Sequence, residues 1–581
     1  MSAEDAQWKE RPYDKAQAES LRAFLPFASD APEHADIVSR LLAARGIGAQ
    51  TVEAFLQPTI EPLICAADHF PGMAEAVDVI VPFIRDGRKI VVFGDYDADG
   101  VCASALLVRA LRKLGATAEA FIPERFTEGY GMTAAALTRL FAEHPDVQLV
   151  VTVDNGIASH AEVRALKARG VAVVVTDHHL PGETLPEPDA LVDPRVAAAP
   201  GGDTLCGAGV AFFLVSGLAR ALACCEKISG PLLVLAAVAT VADLVPLTGL
   251  NRALVVQGLK LFSFCAPVGL RELFTRASRR SDRPSARDFS FLLAPRINAA
   301  GRMATAKTAY ELLMVEDREV ARELARQVDT FNVDRRGQET AVVEEAEHQI
   351  TEPTDAIVVC GEGWHAGVLG IVASRLVDRY RVPVAVATAG DDALARGSVR
   401  APEGYDVHAA LTAAQAALAR FGGHVSAGGF TVRDGAFEQF RACFTEACRR
   451  QRETACDAAT VWFDGWVEPS CLTLPFYQTL QMFEPCGEGN PEPLFGLKNV
   501  AFANIRIMGA DGRHASFAFV DETLPRAVWW NCGDQVEALR KHAGARYDVL
   551  FTLLPSSFGG AEHVELRVAA VRPTAYAKDA H

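Results

Sequence analysis

The sequence predicts an α/β protein of several domains: a doubly wound parallel sheet, a long helical connector, a second α/β unit and a small C-terminal β-barrel. Three observations carry this expectation. Three β-branched apolar runs alternate with helix-like segments early in the chain. A charged, glycine-poor stretch occupies residues 309–350. From about Val461 the chain turns to short, aromatic-rich runs broken by Pro and Gly. With 581 residues, 50% hydrophobic and 22% charged, the chain can build large cores and is not disordered as a whole.

The elements follow in order. Residues 1–80 read as a helical N-terminal segment, interrupted at Pro58, Pro62 and Pro71. Residues 81–308 form the first domain. Its runs KIVVFG (89–94), VQLVVTV (147–153) and VAVVVT (171–176) are almost continuously apolar, as strands covered on both faces are. Between them, VCASALLVRALRKLG (101–115) and ASHAEVRALKARG (158–170) have apolar residues at helical spacing and end in glycine. That alternation predicts right-handed crossovers and a ligand site beyond the carboxyl ends of the strands. A Val/Ala/Leu-rich helical region covers 207–245, and a basic Ser/Arg-rich loop covers 276–290. The connector takes 309–350, the second α/β unit 351–450, and the barrel 451–581.

Charge narrows the function classes. The net charge is −16, from 57 Lys+Arg against 73 Asp+Glu, which argues against a protein that coats nucleic acid. It leaves room for one whose basic groups line a groove: between Arg271 and Lys307 nine basic residues stand against three acidic ones. The longest apolar stretch, Leu232 to Ala242, stops at Asp243, short of the ~20 residues of a membrane span. The N-terminus is polar and acidic, and the 13 cysteines are scattered without metal-site spacing. A cytoplasmic protein with reduced thiols and no membrane association is expected.

The chemistry lies just after the strands. The first run ends in GDYDADG, with Asp95, Asp97 and Asp99; the second in VDNG, with Asp154; the third in TDHH, with Asp177, His178 and His179. Asp243 closes the apolar helix-like run AAVATVADLVPL. Taken singly, each motif is an ordinary turn. Taken together, they bring several like charges to one rim, which would repel unless cations neutralise them. Carboxylates with one or two imidazoles suit Mn²⁺ or Mg²⁺. Two such ions can clamp a phosphoryl group and activate water, so phosphoester hydrolysis is expected. A Ser/His/Asp hydrolase fits poorly, because no G-x-S-x-G elbow follows a strand.

DYDADG, VDNG, TDHH and VADLVP resemble the four ordered motifs of the DHH phosphoesterase superfamily. IPERFTEGYGM (122–132), PRINAAGRM (295–303), GWHAGVLGIVASRL (363–376), GSVRAPEGYDVH (397–408), GGHVSAGG (422–429) and FEPCGEGNPEPLF (483–495) narrow the resemblance to its RecJ branch, whose members are 5′→3′ exonucleases of single-stranded DNA. The resemblance runs from about residue 40 to the last strands.

It implies a DHH catalytic domain, a second domain of the DHHA1 type and an OB-fold tail, with two divalent cations. Asp97 would hold one metal and Asp99 the other, with Asp154 bridging; His178 and Asp243 would complete the second site. Asp95, Asp177 and His179 would give further ligation or orientation. Ser398 and Arg400, with Arg296 or Arg302 and the neighbouring Asn298, would grip the 5′ end, and His424 in its Gly-rich loop would approach a phosphate. Single-stranded DNA is the implied substrate, in recombination and repair. A single-strand-binding protein and a RecQ-type helicase are the implied partners, and a monomer the implied state. Two other readings are a DHH phosphodiesterase for short oligonucleotides or cyclic dinucleotides, and a non-catalytic single-strand-binding scaffold.

Overall fold

The three apolar runs become neighbouring strands because alternate side chains of each enter two separate cores. Ile90 and Val92 point into one core, Val91 and Phe93 into the other, and all four are fully buried. In the computed structural model the described residues are 7–574, except 61–69, 197–201, 203, 226–229, 279–282, 351–354, 391–393, 455–459, 510–511, 534, 542–544 and 557–561. Strands β1 (Lys89–Phe93), β2 (Thr117–Phe121), β3 (Leu149–Thr152), β4 (Ala172–Thr176) and β5 (Ala190–Val192) form one parallel sheet in the order β2-β1-β3-β4-β5. The winding direction reverses between β1 and β3, which makes their carboxyl ends the expected ligand site.

Helices α1 (Met73–Arg85) and α2 (Ala98–Leu114) cover one face, and α3 (Ala134–Glu143) and α4 (His160–Ala168) the other. Helix α2 ends at Gly115, whose φ of 103° closes the helix as the sequence suggests. On the first face α5 (Gly207–Ala221) and α6 (Gly230–Ala242) add an almost wholly apolar second layer. Helix α7 (Gly249–Cys265) follows, packed against α6.

Two differences from the sequence reading stand out here. The sheet has edge strands β2 and β5, so α2, β2 and α3 all lie between the first two predicted strands. The predicted basic loop at 276–290 is helical at both ends among the described residues: Arg276 lies in the last turn of a helix at Val268–Ala277, and Ala286–Asp288 opens a helical run into α8 (Ala294–Met303), while Ser278 and residues 283–285 lie outside helices. Pro295 is the second residue of α8, which directly follows a π-helical turn at Phe289–Leu293. Arg279 and Arg280, counted in the basic stretch, lie outside the described residues.

Helix α9 (Arg318–Gln349) is the expected connector, 32 residues and thus ~48 Å long. Asp317 caps it, accepting from the N–H groups of Glu319 and Val320. It leads into a second sheet, β6 (Ile357–Glu362), β7 (Val384–Ala389), β8 (Ala395–Arg400), β9 (Leu418–Gly423) and β10 (Ala427–Val432), ordered β9-β10-β8-β7-β6. Only β6 and β7 pair in parallel. Helices α10 (Ala366–Tyr380) and α11 (Phe437–Thr454) cover it.

The C-terminal strands β11 (Phe495–Val500), β12 (Phe502–Met508), β13 (His514–Phe519), β14 (Ala527–Trp529), β15 (Tyr547–Ser556) and β16 (His563–Pro573) are ordered β11-β15-β16-β14-β13-β12. Its two outermost strands, β11 and β12, are joined by the single residue Ala501, so the sheet curls back on itself as a barrel does.

The N-terminal segment is not an independent unit. Gln7–Glu10, read as part of a helical segment, is a strand paired in parallel with Thr460–Phe463. Leu21, Val38, Leu42 and Phe55 share one core with Phe476, Phe495 and Phe551 of the C-terminal part. One buried arginine ties this assembly to the first domain. Arg252, in α7, donates to the carbonyls of Phe55, Met482, Phe483, Glu484 and Pro485 at 2.9–3.4 Å, and its guanidinium lies 4.0 Å from the Phe55 ring centre. Asn490 Nδ2 donates to the Phe483 and Pro485 carbonyls as well, and its Oδ1 accepts from Arg45. The FEPCGEGNPEPLF motif is thus a joint between domains.

Candidate metal centre

Three strand ends converge at the point where the winding reverses. Beyond β1, Asp97 becomes the N-cap of α2, with Oδ1 accepting from the Gly100 N–H at 3.0 Å. Asp99, in the first turn, is held by a second helix start: its oxygens accept from the N–H groups of Gly207 (2.6 Å) and Ala208 (2.8 Å), the first residues of α5. Two helix N-termini therefore favour negative charge at this spot.

Beyond β3, Asp154 takes a φ of 63°, in the left-handed region that few side chains adopt. Such strain costs on the order of 1–3 kcal/mol and is kept where surrounding structure enforces it. Asn155 helps enforce it, donating from Nδ2 to the carbonyls of Phe93 (3.2 Å) and Val153 (2.9 Å) and so tying the ends of β1 and β3 together.

Beyond β4, Asp177 accepts from the backbone N–H groups of Ile157, His178 and His179, and its Oδ1 lies 2.7 Å from His179 Nδ1. It is an organiser of the turn. His178 Nε2 lies 3.0 Å from Asp154 Oδ1 and 3.8 Å from Asp99 Oδ2, and its Nδ1 lies 3.8 Å from Asp243 Oδ2. Asp243 directly follows α6, its N–H bonded to the Ala239 carbonyl.

The result is two three-residue sets of potential metal ligands, Asp95/Asp97/Asp154 and Asp99/His178/Asp243, with Asp154, His178 and His179 forming a third that overlaps both. Within each set the ligand atoms lie within 4.8 Å of one another. Burial first, then the charge of Asp97, pushes the carboxyls of Asp95 and Asp99 up, to about 7 for Asp99; burial, then the charges of Asp99 and Asp97, pushes Asp243 up to about 8. Burial and Asp99 push Asp154 up too. Burial, then His179, lowers His178 to about 4. His179 goes the other way: burial opposes its charge, but the hydrogen bond and charge of Asp177 raise it to about 9. Asp95 Oδ1 and His178 Nδ1 are buried without a hydrogen-bond partner. Buried carboxylates crowded beside a neutral imidazole, with acceptor atoms unfilled, fit a hard divalent cation at each set.

The predicted substrate residues fall into three groups. Asn298 Oδ1 accepts from the Ala98 N–H, fixing the turn that carries Asp97 and Asp99. Arg302 is half-buried, feels the charges of Arg125, Arg335, Asp97 and Arg400, and donates to the Gly367 carbonyl at 3.3 Å. Arg296 is engaged elsewhere, in an ion pair with Asp329 at 2.9 Å that Arg276 shares. Ser398 and Arg400 sit on β8 opposite Gly429 and Ala427 of β10, so they adjoin the hairpin that carries His424. His424 is exposed at the tip of that hairpin, and its N–H closes the turn on the Ala427 carbonyl.

The sequence reading assigned no residue in the IPERFTEGYGM loop, yet the loop reaches the site. Tyr130 Oη is 3.2 Å from His179 Nε2, Arg125 stacks over Tyr96, and Phe126 meets His365 of the second domain edge-on. The signal for it in the sequence is the motif itself, which gathers Arg125, Phe126 and Tyr130 in one loop.

Close packing makes one glycine decisive. A Cβ at Gly207 would lie 2.6 Å from Asp154 Cβ and 3.1 Å from its Cγ. Gly207→Ala is expected to keep the fold and to weaken Mn²⁺ binding by about 10–100-fold, the effect of disturbing a ligand's support. Calorimetric titration of Mn²⁺ into the wild type and the variant measures it; equal affinity would show that the Asp154 position does not matter.

Comparison with known proteins agrees with this geometry. The model of the DHH family N-terminal domain matches residues 89–240, that of the DHHA1 domain residues 354–450, and that of the RecJ OB domain residues 463–570. The chain is 36% identical over 484 residues to the single-stranded-DNA-specific exonuclease RecJ of Dickeya dadantii, spanning 79% of this chain and 83% of that protein. It is 34% identical over 508 residues to RecJ of Escherichia coli, spanning 83% and 86%. Among solved structures, RecJ of Thermus thermophilus in complex with Mn²⁺ has a TM-score of 0.83 at 32% identity, over 98% of this chain and 80% of that one.

Proposed function

The chain belongs to the RecJ family of single-stranded-DNA-specific exonucleases, and on that premise we propose that it removes 5′-mononucleotides from the 5′ end of single-stranded DNA with two divalent cations, Mn²⁺ or Mg²⁺. The observation that supports this most is the pair of ligand sets linked by Asp154 and His178 at the strand ends.

In this reading Asp95, Asp97 and Asp154 would hold one cation, and Asp99, His178 and Asp243, with Asp154, would hold the other. When bound, the cations lower the pKa of a water and offset charge on the phosphoryl oxygens. The protein's own part is positioning. Asp177 fixes His178 and His179 through the backbone and ring bonds described above. Asn298 fixes the Asp97 turn. Arg302 and Arg400, with Ser398, present donors to the terminal phosphate on the side facing the second domain, where guanidinium forks match phosphate oxygens. Residues 81–308 are the catalytic unit, 351–450 the unit that closes the substrate channel, and 309–350 the connector between them. A channel between two α/β units excludes a duplex by width and needs no base readout. It also reconciles a polyanionic substrate with a net charge of −16. Work in recombination and repair, beside a single-strand-binding protein and a RecQ-type helicase, in the cytoplasm and as a monomer, belongs to the same reading.

The test is nucleotide release from 5′- and 3′-labelled oligonucleotides, single- and double-stranded, with Mn²⁺, Mg²⁺ or EDTA. Metal-dependent release of the 5′ label as a mononucleotide from long single strands is the expected result. Activity confined to dinucleotides or very short oligomers overturns it in favour of a small-substrate phosphodiesterase. Tight strand binding without turnover under any metal overturns it in favour of a scaffold.

A further inference from the structure

The connector helix contributes to a cavity as well as spanning two domains. A space of about 230 Å³ lies between the domains, walled by Ala242 at the end of α6 and Leu244 just beyond it, Asn298 and Arg302 of α8, Arg335 of α9 and Ile371 of α10. A water occupies ~30 Å³ in the liquid, so the space holds several waters or one oxyanion. Ala242 and Leu244 flank Asp243, and Asn298 accepts from the Ala98 N–H, directly after Asp97, at 2.8 Å. The cavity therefore adjoins both ligand sets of the metal centre.

Its charge is unbalanced. Arg335 Nη1 donates to Glu339 at 2.9 Å and Nη2 to Asn332 at 3.1 Å, both on its own helix. Its Nε is buried and has no hydrogen-bond partner. Glu339 is shared with Arg375, 2.8 Å away, so one carboxylate serves two guanidiniums. Arg302 has a backbone carbonyl as partner and no carboxylate within ion-pair distance among the described residues. Buried donors of a cation are seldom left open without a ligand to fill them. The group that fits two guanidiniums in a small space is a tetrahedral oxyanion.

We propose that this cavity takes one backbone phosphate of the single strand, next to the linkage being cut, and that Arg335 is a substrate-binding residue that holds it. The inference rests on the exonuclease reading above.

Binding in EDTA is measured by fluorescence anisotropy with strands carrying a single neutral methylphosphonate at each of the first four linkages from the 5′ end. Arg335→Met is expected to weaken binding by about tenfold, the loss of a charge-assisted bond. At one linkage the neutral substitution should weaken wild-type binding by a similar factor and cost Arg335→Met nothing more. Glu339→Gln, which breaks the same ion pair but leaves the guanidinium, should keep that linkage dependence. If the losses multiply at every linkage, or if Glu339→Gln behaves like Arg335→Met, Arg335 is a structural residue and the inference is wrong. Cleavage of the unmodified strand by wild type is scored separately, so failure of the exonuclease reading shows there and not in the binding series.

Discussion

Asp154→Asn is expected to lower turnover by about 10³-fold or more, while single-strand affinity measured in EDTA stays within about twofold. The argument is positional. Asp154 belongs to the ligand set with Asp95 and Asp97, and it faces His178 of the other set at 3.0 Å. Removing its charge disturbs both at once. Metal ions supply several kcal/mol of charge stabilisation in phosphoryl transfer, and each ~1.4 kcal/mol is a factor of ten in rate. Asparagine preserves shape and tolerates the left-handed φ of 63°, so the turn itself is kept. Steady-state release of 5′ label with Mn²⁺ gives the rate, and anisotropy gives the affinity. Parallel loss of binding and turnover would falsify the bridging role, because it would place Asp154 in strand recognition.

Arg252→Met carries the largest expected loss of stability. The side chain is 2% exposed and its guanidinium satisfies five carbonyls from two distant parts of the chain. Methionine fills the volume but leaves those carbonyls without a donor. Breaking a buried charged network typically costs ~3–5 kcal/mol. The first unfolding transition on heating or in urea should move down accordingly, and nuclease activity at low temperature should persist, because Arg252 is not among the ligand sets. An unchanged midpoint would mean that the joint at 482–485 is held by Asn490 and Arg45 alone.

The legible parts of this molecule share one property: burial on both sides. β1, β3 and β4 read as strands because each is apolar at nearly every position, and their flanking acids point to one rim. The edge strands were illegible for the opposite reason. β2, TAEAF, carries the half-buried Glu119, and β5 is three residues long, so neither shows a period. The basic run at 276–290 reads as a loop by composition, whereas the capping box of Ser285 and Asp288 starts a helix there. Among the site residues, the strand-end acids and histidines were visible as types in a pattern. How Asp99 is held was not, since its partners are the backbone N–H groups of residues 207 and 208, a hundred positions away. Arg296 and Arg302 look alike in sequence; only the position of Asp329 on the connector separates them. Arg252 was invisible altogether, because an arginine in a helix reads as surface until the carbonyls around it are known.

The shared core of the first helices and the last strands sets a timetable for biosynthesis. Phe55 and its neighbours leave the ribosome more than 400 residues before Phe476, Phe495 and Phe551 exist to cover them. At translation rates of 5–20 residues per second, that apolar face waits roughly 20–80 s for its partner. The catalytic domain, whose contacts lie closer in sequence, has time to fold in the interval. The N-terminal helices are therefore the part of the nascent chain that most needs a chaperone. A stop codon just before β11 would release a chain whose catalytic sheet is complete, yet whose first 60 residues have lost the surface they were made to meet.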